Sequence, residues 1–450
     1  MSDDRFLSTL VLLQVAVPAL TLAAIGLPAV VGVRQGERSV TRLVGAGFAI
    51  ALVAALGALA LLAGRAFTPH NVHLGTWFHV GHHHATVDLV ADALSIPYVC
   101  FSTALCGLVS AFAGKYLHRE TGFARFFVLL ALFGTGMNLL VLAGSIDVLF
   151  AGWECVGISS TLLIGFFNDR VAAAAAAVRA FVTYRVCDAG LLAAGVMLHA
   201  ATGSGDFERA IAGGWPGGSC LLPPATALAV SLLLIFAALG KSAQVPFSGW
   251  LPRAMDGPTP SSAIFYGALS IHAGAYLLLR CEAILDAAPV AAWLLVAIGA
   301  GTAIHAALVG SVQTDLKGML AYASMTQAGL ILAEIGLGWR VVPLVHVVSH
   351  AILRSLQILR SPSALHDRHE LAAALGGHPG GATTPLRLLP ERLRTVVYHV
   401  ALERGYEEAA VERLVVAPVL ATLRAAAAFE ERLVDRIAGE SRSRGRGGQP

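Results

Sequence analysis

Charged residues are scarce in this chain, and their scarcity argues against a soluble globular protein. Only 13% of its 450 residues are Asp, Glu, Lys or Arg, while 56% are hydrophobic. A soluble domain has about 25% charged residues. The composition therefore predicts a polytopic membrane protein with membrane lipid as a partner. The net charge of +3 predicts no nucleic-acid partner, because the basic residues cluster beside apolar runs and in the tail.

Metal, redox and nucleotide motifs are also missing. The cysteines are scattered and form no Cys-x-x-Cys pair, so we predict neither an iron–sulfur cluster nor a zinc site; they are Cys100, Cys106, Cys155, Cys187, Cys220 and Cys281. There is no Walker A motif and no Gly-x-Gly-x-x-Gly after a strand. We therefore expect no cofactor and no catalytic site of the chain's own, although the chain can still be a subunit of an enzyme.

A clear signal-peptide cleavage site is lacking as well. The first apolar run, residues 6–33, is longer than a signal-peptide core. We interpret it as a retained helix.

Long apolar runs, in contrast, are abundant. A membrane-spanning helix needs about 20 mostly apolar residues. The runs predict an all-α fold with eleven spans, the seventh of them broken: 7–33, 43–63, 93–114, 124–143, 146–167, 173–200, 224–255, 260–280, 288–312, 316–337 and 341–359.

Basic residues in the loops predict the orientation, since cytoplasmic loops carry an excess of Lys and Arg. They lie in alternate loops and in the arginine-rich tail, and those in the loops are Arg34, Arg38, Arg42, Lys115, Arg119 and Arg125. We predict a multi-pass inner-membrane protein whose N-terminus is outside and whose C-terminus is cytoplasmic.

The loop at 65–91 is rich in histidine, with His70, His73, His79, His82, His83 and His84. Metal ligands must converge, whereas adjacent residues of an extended chain point to opposite faces. The loop instead predicts an outside β-hairpin over residues 76–90, with histidines near its turn and no metal site.

Lys241 is the most telling ionisable residue. It follows the apolar run 225–238, and Pro246 comes five residues later. A buried ammonium is costly unless it is paired or loses its proton, and proline breaks the helix. A charge beside a helix break inside a membrane indicates an ion pathway. The alternative is a helix that ends there while Lys241 snorkels to the interface.

The same stretch carries a resemblance. From Gly240 to Ala263 the chain reads Gly-Lys-Ser-Ala-Gln-x-Pro-x-x-x-Trp-Leu-Pro-x-Ala-Met-x-Gly-Pro-Thr-Pro-x-Ser-Ala. This resembles the signature of the antiporter-like subunits of respiratory complex I and of Mrp antiporters, especially subunit L (subunit 5) of NADH-quinone oxidoreductase. The resemblance implies a membrane subunit that translocates protons or another monovalent cation.

Glu154 lies in the middle of the fifth span, within Gly-Trp-Glu-x-Val-Gly. The resemblance implies that Glu154 pairs with Lys241, where the carboxylate would stabilise the charged amine. The alternative is a protonated, hydrogen-bonded residue that only packs helices. In the sixth span, Arg185 and Asp188 share a helix face. A structural ion pair and a pathway acid are both open for Asp188.

The eighth span departs from the family pattern. Tyr266 stands where the family has histidine, and His272 follows six residues later. Tyrosine can relay a proton through its hydroxyl but stores one poorly near neutral pH. His272 is therefore our candidate for the storage role, with an altered relay as the alternative.

The eleventh span carries His346, His350 and Arg354 along one stripe. The stripe resembles the family's His-x-x-x-His-x-x-x-Lys, with arginine replacing lysine. Arginine is effectively always protonated, so it shapes the potential without passing on a proton. Lys317, near the start of the tenth span, is either a pathway residue or a snorkelling lysine.

The resemblance covers roughly residues 1–370, so the second inverted repeat is incomplete. We predict a proton-conducting transmembrane domain at 1–360, a glycine-rich linker at 361–389, an amphipathic helical tail at 390–440 and disorder at 441–450.

The segment after the last span gives a narrower resemblance. Ser-Pro-Ser-x-Leu-His-Asp at 361–367 and Leu-Glu-Arg-Gly-Tyr at 402–406 resemble DabB-type membrane subunits of inorganic carbon transporters. That resemblance implies a large cytoplasmic DabA-like zinc subunit, similar to a β-type carbonic anhydrase, as partner. The alternatives are a pumping subunit that joins other complex I-type subunits, and a membrane anchor that conducts nothing.

Overall fold

A computed structural model describes residues 2–80, 83–375, 390–406, 409 and 411–437. The chain is predominantly helical and carries a β-hairpin after its second helix. The elements are α1 (Ser2–Val30), α2 (Glu37–Gly64), β1 (His70–Val80), β2 (His83–Ala91), α3 (Ser95–Tyr116), α4 (Phe123–Leu142), α5 (Ile146–Ile164), α6 (Val171–Thr202), α7 (Phe207–Ala210), β3 (Ile211–Ala212), β4 (Ser219–Cys220), α8 (Pro224–Lys241), α9 (Trp250–Arg253), α10 (Thr259–Phe265), α11 (Ala273–Arg280), α12 (Glu282–Asp286), α13 (Pro289–Gly310), α14 (Leu316–Gly336), α15 (Val341–Leu375) and α16 (Glu391–Leu402), followed by a last helix at Ala417–Ile437.

Ten helical segments in the described part of the chain are long and apolar enough to cross a membrane. The predicted all-α, multi-pass fold is thereby confirmed. The tenth predicted span forms α14, which has 21 residues but is not among the ten, because Gln327 and Glu334 lower its hydropathy. The predicted break in the seventh span is present: α8 ends at Lys241, and the chain continues through a loop to α9.

Local signals in the sequence explain several helix ends. The Ser145 side chain accepts a hydrogen bond from the Val148 backbone N–H and caps α5. Asp315 caps α14 in the same way, accepting from the Gly318 N–H. Gly203 ends α6 with φ +76°, a left-handed conformation that glycine adopts without strain.

Glycines let two pairs of neighbouring helices pack closely. A Cβ on Gly152 of α5 would lie 2.4 Å from the Leu140 backbone nitrogen of α4. A Cβ on Gly299 of α13 would lie 2.5 Å from the Gly329 carbonyl oxygen of α14. Membrane helices associate through such small-residue contacts, because lipid supplies no hydrophobic drive between them.

The predicted hairpin forms, and it is longer than predicted. β1 and β2 pair antiparallel from His70 opposite Ala91 to Val80 opposite His83. Two of its histidines bind separate partners, since His70 contacts Ser8 and His73 contacts Asp88. Residues 81 and 82, which contain His82, lie outside the described part of the chain.

A buried ion pair fixes the hairpin to the helices. Arg280 at the end of α11 donates to both oxygens of Asp92, at 2.5 and 3.2 Å. Burial alone raises the pKa of the Asp92 carboxyl, but Arg280 and the Ser95 N–H together hold that pKa below its usual value. Asp92 therefore stays ionised at the junction of β2 and α3.

The two ends of α14 lie at two opposite surfaces of the chain. Its first turn contacts the loop after the helix break, since Lys317 donates to the Met255 carbonyl at 3.4 Å. Its far end leads to Arg340, which pairs with Glu282 at 2.9 Å, and Glu282 lines one cavity with Asn71 of the hairpin strand β1. At 1.5 Å per residue the helix is about 31 Å long. We call these surfaces the break side and the hairpin side.

The tail lies partly against the chain itself. Glu412 pairs with Arg179 of α6 at 2.5 Å, and Ala401 and Val416 are buried. The last helix, Ala417–Ile437, is exposed along most of its length. Val411 lies beside Pro246 in a small cavity, so this part of the tail covers the helix break.

The predicted linker differs from the structure at its start. α15 continues to Leu375, because 364–375 is rich in the helix formers Ala, Leu and Glu. The rest of the predicted linker, 376–389, lies outside the described residues. So do Glu407, Glu408 and the predicted disordered segment.

Candidate functional site

Lys241, the last residue of α8, is wholly buried. Its Nζ donates to the Trp153 carbonyl at 3.3 Å. The same atom lies 4.9 Å from the ring centroid of Trp153 and 4.5 Å from that of Tyr184. An ammonium has three hydrogens to donate, and aromatic faces stabilise the rest of its charge only in part. These contacts therefore compensate the charge of the amine only in part.

Arg185 organises the carboxylates near this amine. It forms an ion pair with Glu154 and donates to Asp188 at 2.7 Å. Trp153 connects the two groups, since its indole N–H donates to Asp188 at 2.5 Å while its carbonyl accepts from Lys241.

The pairing implied by the resemblance is thus not the one observed. Glu154 binds Arg185, and no carboxylate of the described residues forms a direct ion pair with Lys241. The guanidinium fork of Arg185 can bridge two carboxylates at once, which the single amine of Lys241 cannot match. Glu154 and Asp188 act on Lys241 through space and through Trp153.

Gly157 makes room for both cations beside α5. A Cβ at this position would lie 2.7 Å from Lys241 Nζ and 3.2 Å from Arg185 Nη2. Arg185 and Lys241 therefore approach the same point, and their repulsion opposes the stabilisation that the carboxylates provide.

A second polar chain begins at His272, in the short 3₁₀ turn Ser270–His272 that interrupts the eighth span. Its Nε2 lies 2.9 Å from His350 Nδ1. Arg354 Nε contacts the far nitrogen of His350 at 3.5 Å, and its Nη1 donates to Gln357 at 2.8 Å. His272, His350 and Arg354 are all buried. His272 of the eighth predicted span therefore forms one connected row with two of the three candidates of the eleventh, His350 and Arg354.

Hydroxyl groups lie between Lys241 and His272. Tyr184 lies under the amine, and the hydroxyls of Ser160 and Ser270 are 3.4 Å apart. The Tyr266 hydroxyl and His272 Nδ1 are buried without a hydrogen-bond partner. This region offers a proton several acceptors over a short span of the interior.

The remaining candidates divide between the two sides. Lys317 and Pro246 lie on the break side, where Lys317 binds a carbonyl of the loop. His346 is bound to Glu334 and Gln327 of α14, each at 2.8 Å. Sequence reasoning missed Glu334, although a carboxylate within an apolar run was a visible signal. It also missed Gly157, whose role depends on helix packing that a single sequence does not reveal.

Comparison with known proteins places these residues in a family. Residues 143–375 match the family described as NADH:quinone oxidoreductase/Mrp antiporter, transmembrane. Residues 77–127 match the N-terminus of NADH-ubiquinone oxidoreductase (complex I) chain 5. The first match contains every residue of the two polar chains.

Two individual relatives are named as members of the same family. The chain is 35% identical over 331 residues to NADH-quinone oxidoreductase subunit L of Mycobacterium tuberculosis (strain H37Rv), covering 72% of this chain and 52% of that protein. It is 36% identical over 295 residues to subunit L of Escherichia coli (strain K12), covering 65% and 47%. The chain thus spans about half the length of the curated relatives that it matches.

A solved structure shares the fold. The Mrp complex from Dietzia sp. DQ12-45-1b contains a chain that matches with a TM-score of 0.65 and 28% identity. The match covers 78% of this chain and 37% of that one.

Proposed function

Because this chain belongs to the family of complex I subunit 5/L and Mrp antiporter-like membrane subunits, we propose that it translocates protons as one subunit of a multi-subunit membrane complex. The observation that carries the proposal is the buried row of polar groups from Lys241 at the helix break to His272, His350 and Arg354. Ionisable residues at membrane depth mark ion and proton pathways.

The contacts of the site support a sequence of steps. Lys241 holds a proton while Asp188 and Glu154 neutralise Arg185. A movement of Arg185 toward Gly157 would raise the local positive potential and favour release. The released proton passes over the hydroxyl-lined region to Nδ1 of His272, which has no other partner.

The two histidines then relay it. A proton accepted at Nδ1 of His272 is matched by one given from its Nε2 to His350 Nδ1, along their 2.9 Å contact. The step leaves His272 neutral and makes His350 an imidazolium, because Arg354 faces the far nitrogen of His350 with an N–H and cannot accept a proton from it. Arg354 stays charged and contributes a constant positive potential beside His350.

In this scheme the proton enters the path near Pro246 and Lys317. Both lie on the break side, next to the loop and the tail. Loop charges predict that this side is cytoplasmic.

We further propose that the complex takes up inorganic carbon, with a DabA-like zinc subunit as partner. Support comes from the Leu-Glu-Arg-Gly-Tyr segment at 402–406, whose Gly405 packs against His305 of α13. Purification from native membrane followed by identification of the copurifying chains tests this. Copurification of a large zinc protein supports carbon uptake, and copurification of complex I-type subunits favours a redox-driven pump. If neither kind of protein copurifies, the assignment of a partner is overturned.

Deleting residues 385–450 is expected to release the partner while the membrane part stays inserted. The last helix exposes Leu423, Phe429 and Leu433, and exposed apolar surface costs about 25 cal/mol per Å². Its mixed Glu and Arg residues are not the basic face of a lipid-surface helix. A pull-down measures the yield of partner, and full-length yield from the truncated chain contradicts this expectation.

Cysteine at His83 is expected to react with an impermeant thiol reagent added outside the cell, and cysteine at Gly380 is not. The physical reason is the positive charge of the break-side loops, which favours a cytoplasmic location. Labelling of intact and permeabilised cells measures this. The reverse pattern contradicts the orientation.

A further inference from the structure

A third polar cluster joins α14 to α15. His346 Nδ1 lies 2.8 Å from Glu334 Oε1, and His346 Nε2 lies 2.8 Å from Gln327 Oε1. The second oxygen of Glu334 is buried and has no hydrogen-bond partner. A carboxylate carries about four lone-pair sites, so this oxygen remains able to accept a proton or a water molecule.

The cluster lies close to the hairpin-side surface. Glu334 is two residues before the end of α14, and His346 is five residues after the start of α15. The turn between these helices holds Arg340, which is fixed to α12 through the buried Glu282 and the exposed Asp286. Glu334 is therefore within about two helical turns of the aqueous edge.

Exposure rises along the row toward this edge. His272 and His350 are buried, whereas Glu334 and His346 are only partly buried. His346 and His350 are four residues apart on α15, so they occupy one face a single turn apart. The buried row and the Glu334 cluster are thus consecutive along the membrane normal.

We propose that Glu334, together with His346, is the hairpin-side terminus of the proton path, where a proton is exchanged with water. This inference rests on the proposed function. With the Gln327 oxygen accepting from Nε2, the Nδ1–Glu334 contact holds one further proton, either on the carboxylate or on the imidazole. That shared proton can leave from the partly exposed Glu334 carboxyl, and its loss leaves a neutral imidazole and a carboxylate that can take up the next proton of the path.

Under this proposal the path has an end on each side of the membrane. It begins near Lys317 on the break side, passes Lys241 and His272, and ends at Glu334 on the hairpin side.

The test compares proton uptake by inverted membrane vesicles that contain the full-length chain and its copurifying subunits. Glu334→Gln is expected to lower the flux about 100-fold or more, as loss of a positioned proton-transfer group does. Glu334→Asp is expected to restore most of it. Asp286→Asn is the matched control, since it removes one carboxylate of the same surface that pairs with Arg340, and it should match the parent.

The outcomes separate this inference from the proposed function. If Glu334→Gln conducts like the parent while Lys241→Ala does not, the terminus is wrong and the pathway stands. If Lys241→Ala also conducts like the parent, the pathway itself is wrong. If Glu334→Gln and Glu334→Asp lose flux equally, Glu334 is needed for structure, and its proton-carrying role is overturned.

A labelling arm tests the position directly. In a background freed of the six native cysteines, Glu334→Cys is expected to react with a small positively charged thiol reagent from the hairpin side only. Reaction from the break side, or no reaction while cysteine at Asp286 reacts, overturns the inference.

Discussion

Lys241→Ala is expected to abolish ion translocation while the chain remains inserted and assembled. The variant removes the buried amine of the site, so the carbonyl of Trp153 and the rings of Trp153 and Tyr184 lose their cationic partner. A positioned group that gives and takes a proton contributes about 100-fold or more. Dye-reported proton uptake into vesicles, normalised to the amount of inserted chain, measures the loss.

The matched control is Lys115→Ala. Lys115 is an exposed lysine in the last turn of α3, so its removal changes the charge equally without touching the polar row. It should conduct like the parent. Parental flux from Lys241→Ala would refute the pathway and leave the chain as a membrane anchor.

The sequence was sufficient to predict the span count to within one and the break after α8. It also singled out most of the polar residues that the structure buries in the site. Each of these depends on residues near one another in the chain: an apolar run, a lysine at its end and a proline after it. Periodicity also placed His346, His350 and Arg354 on one face of α15. The contact between His272 and His350 required the tertiary structure, since 78 residues separate them.

The partner of Glu154 shows why the rest could not be predicted. Its neighbouring spans α6 and α8 carry three cationic groups: Arg179, Arg185 and Lys241. Which of them meets Glu154 depends on how α5, α6 and α8 are rotated about their axes. Small residues decide that rotation: Gly157 lets Arg185 and Lys241 approach α5 together. A single sequence states that a glycine is present but not which helix it faces.

The bridging role of Arg185 changes the expected order of the acid variants. Asp188 is more deeply placed than Glu154, with 3% and 18% of the respective side chains exposed. Water can replace part of the lost interaction at Glu154 but not at Asp188. Asp188 also fixes Trp153, whose carbonyl holds Lys241. Loss of the Asp188 carboxylate therefore affects the Lys241 amine in two ways: it breaks the ion pair with Arg185 and it frees the Trp153 indole.

Asp188→Asn is accordingly expected to lower the flux more than Glu154→Gln, and both less than Lys241→Ala. An asparagine oxygen can still accept from Trp153, but its amide turns a second donor toward Arg185 Nη2. A hydrogen bond to a charged group is worth about 1.5–3 kcal/mol, which corresponds to about tenfold or more in flux. The control is Asp147→Asn, which removes a carboxylate of the same helix as Glu154 that binds His199 on the hairpin side. The reverse order in the vesicle assay, with Glu154→Gln the more damaging, would show that the outer ion pair and not the Trp153–Asp188 contact controls Lys241.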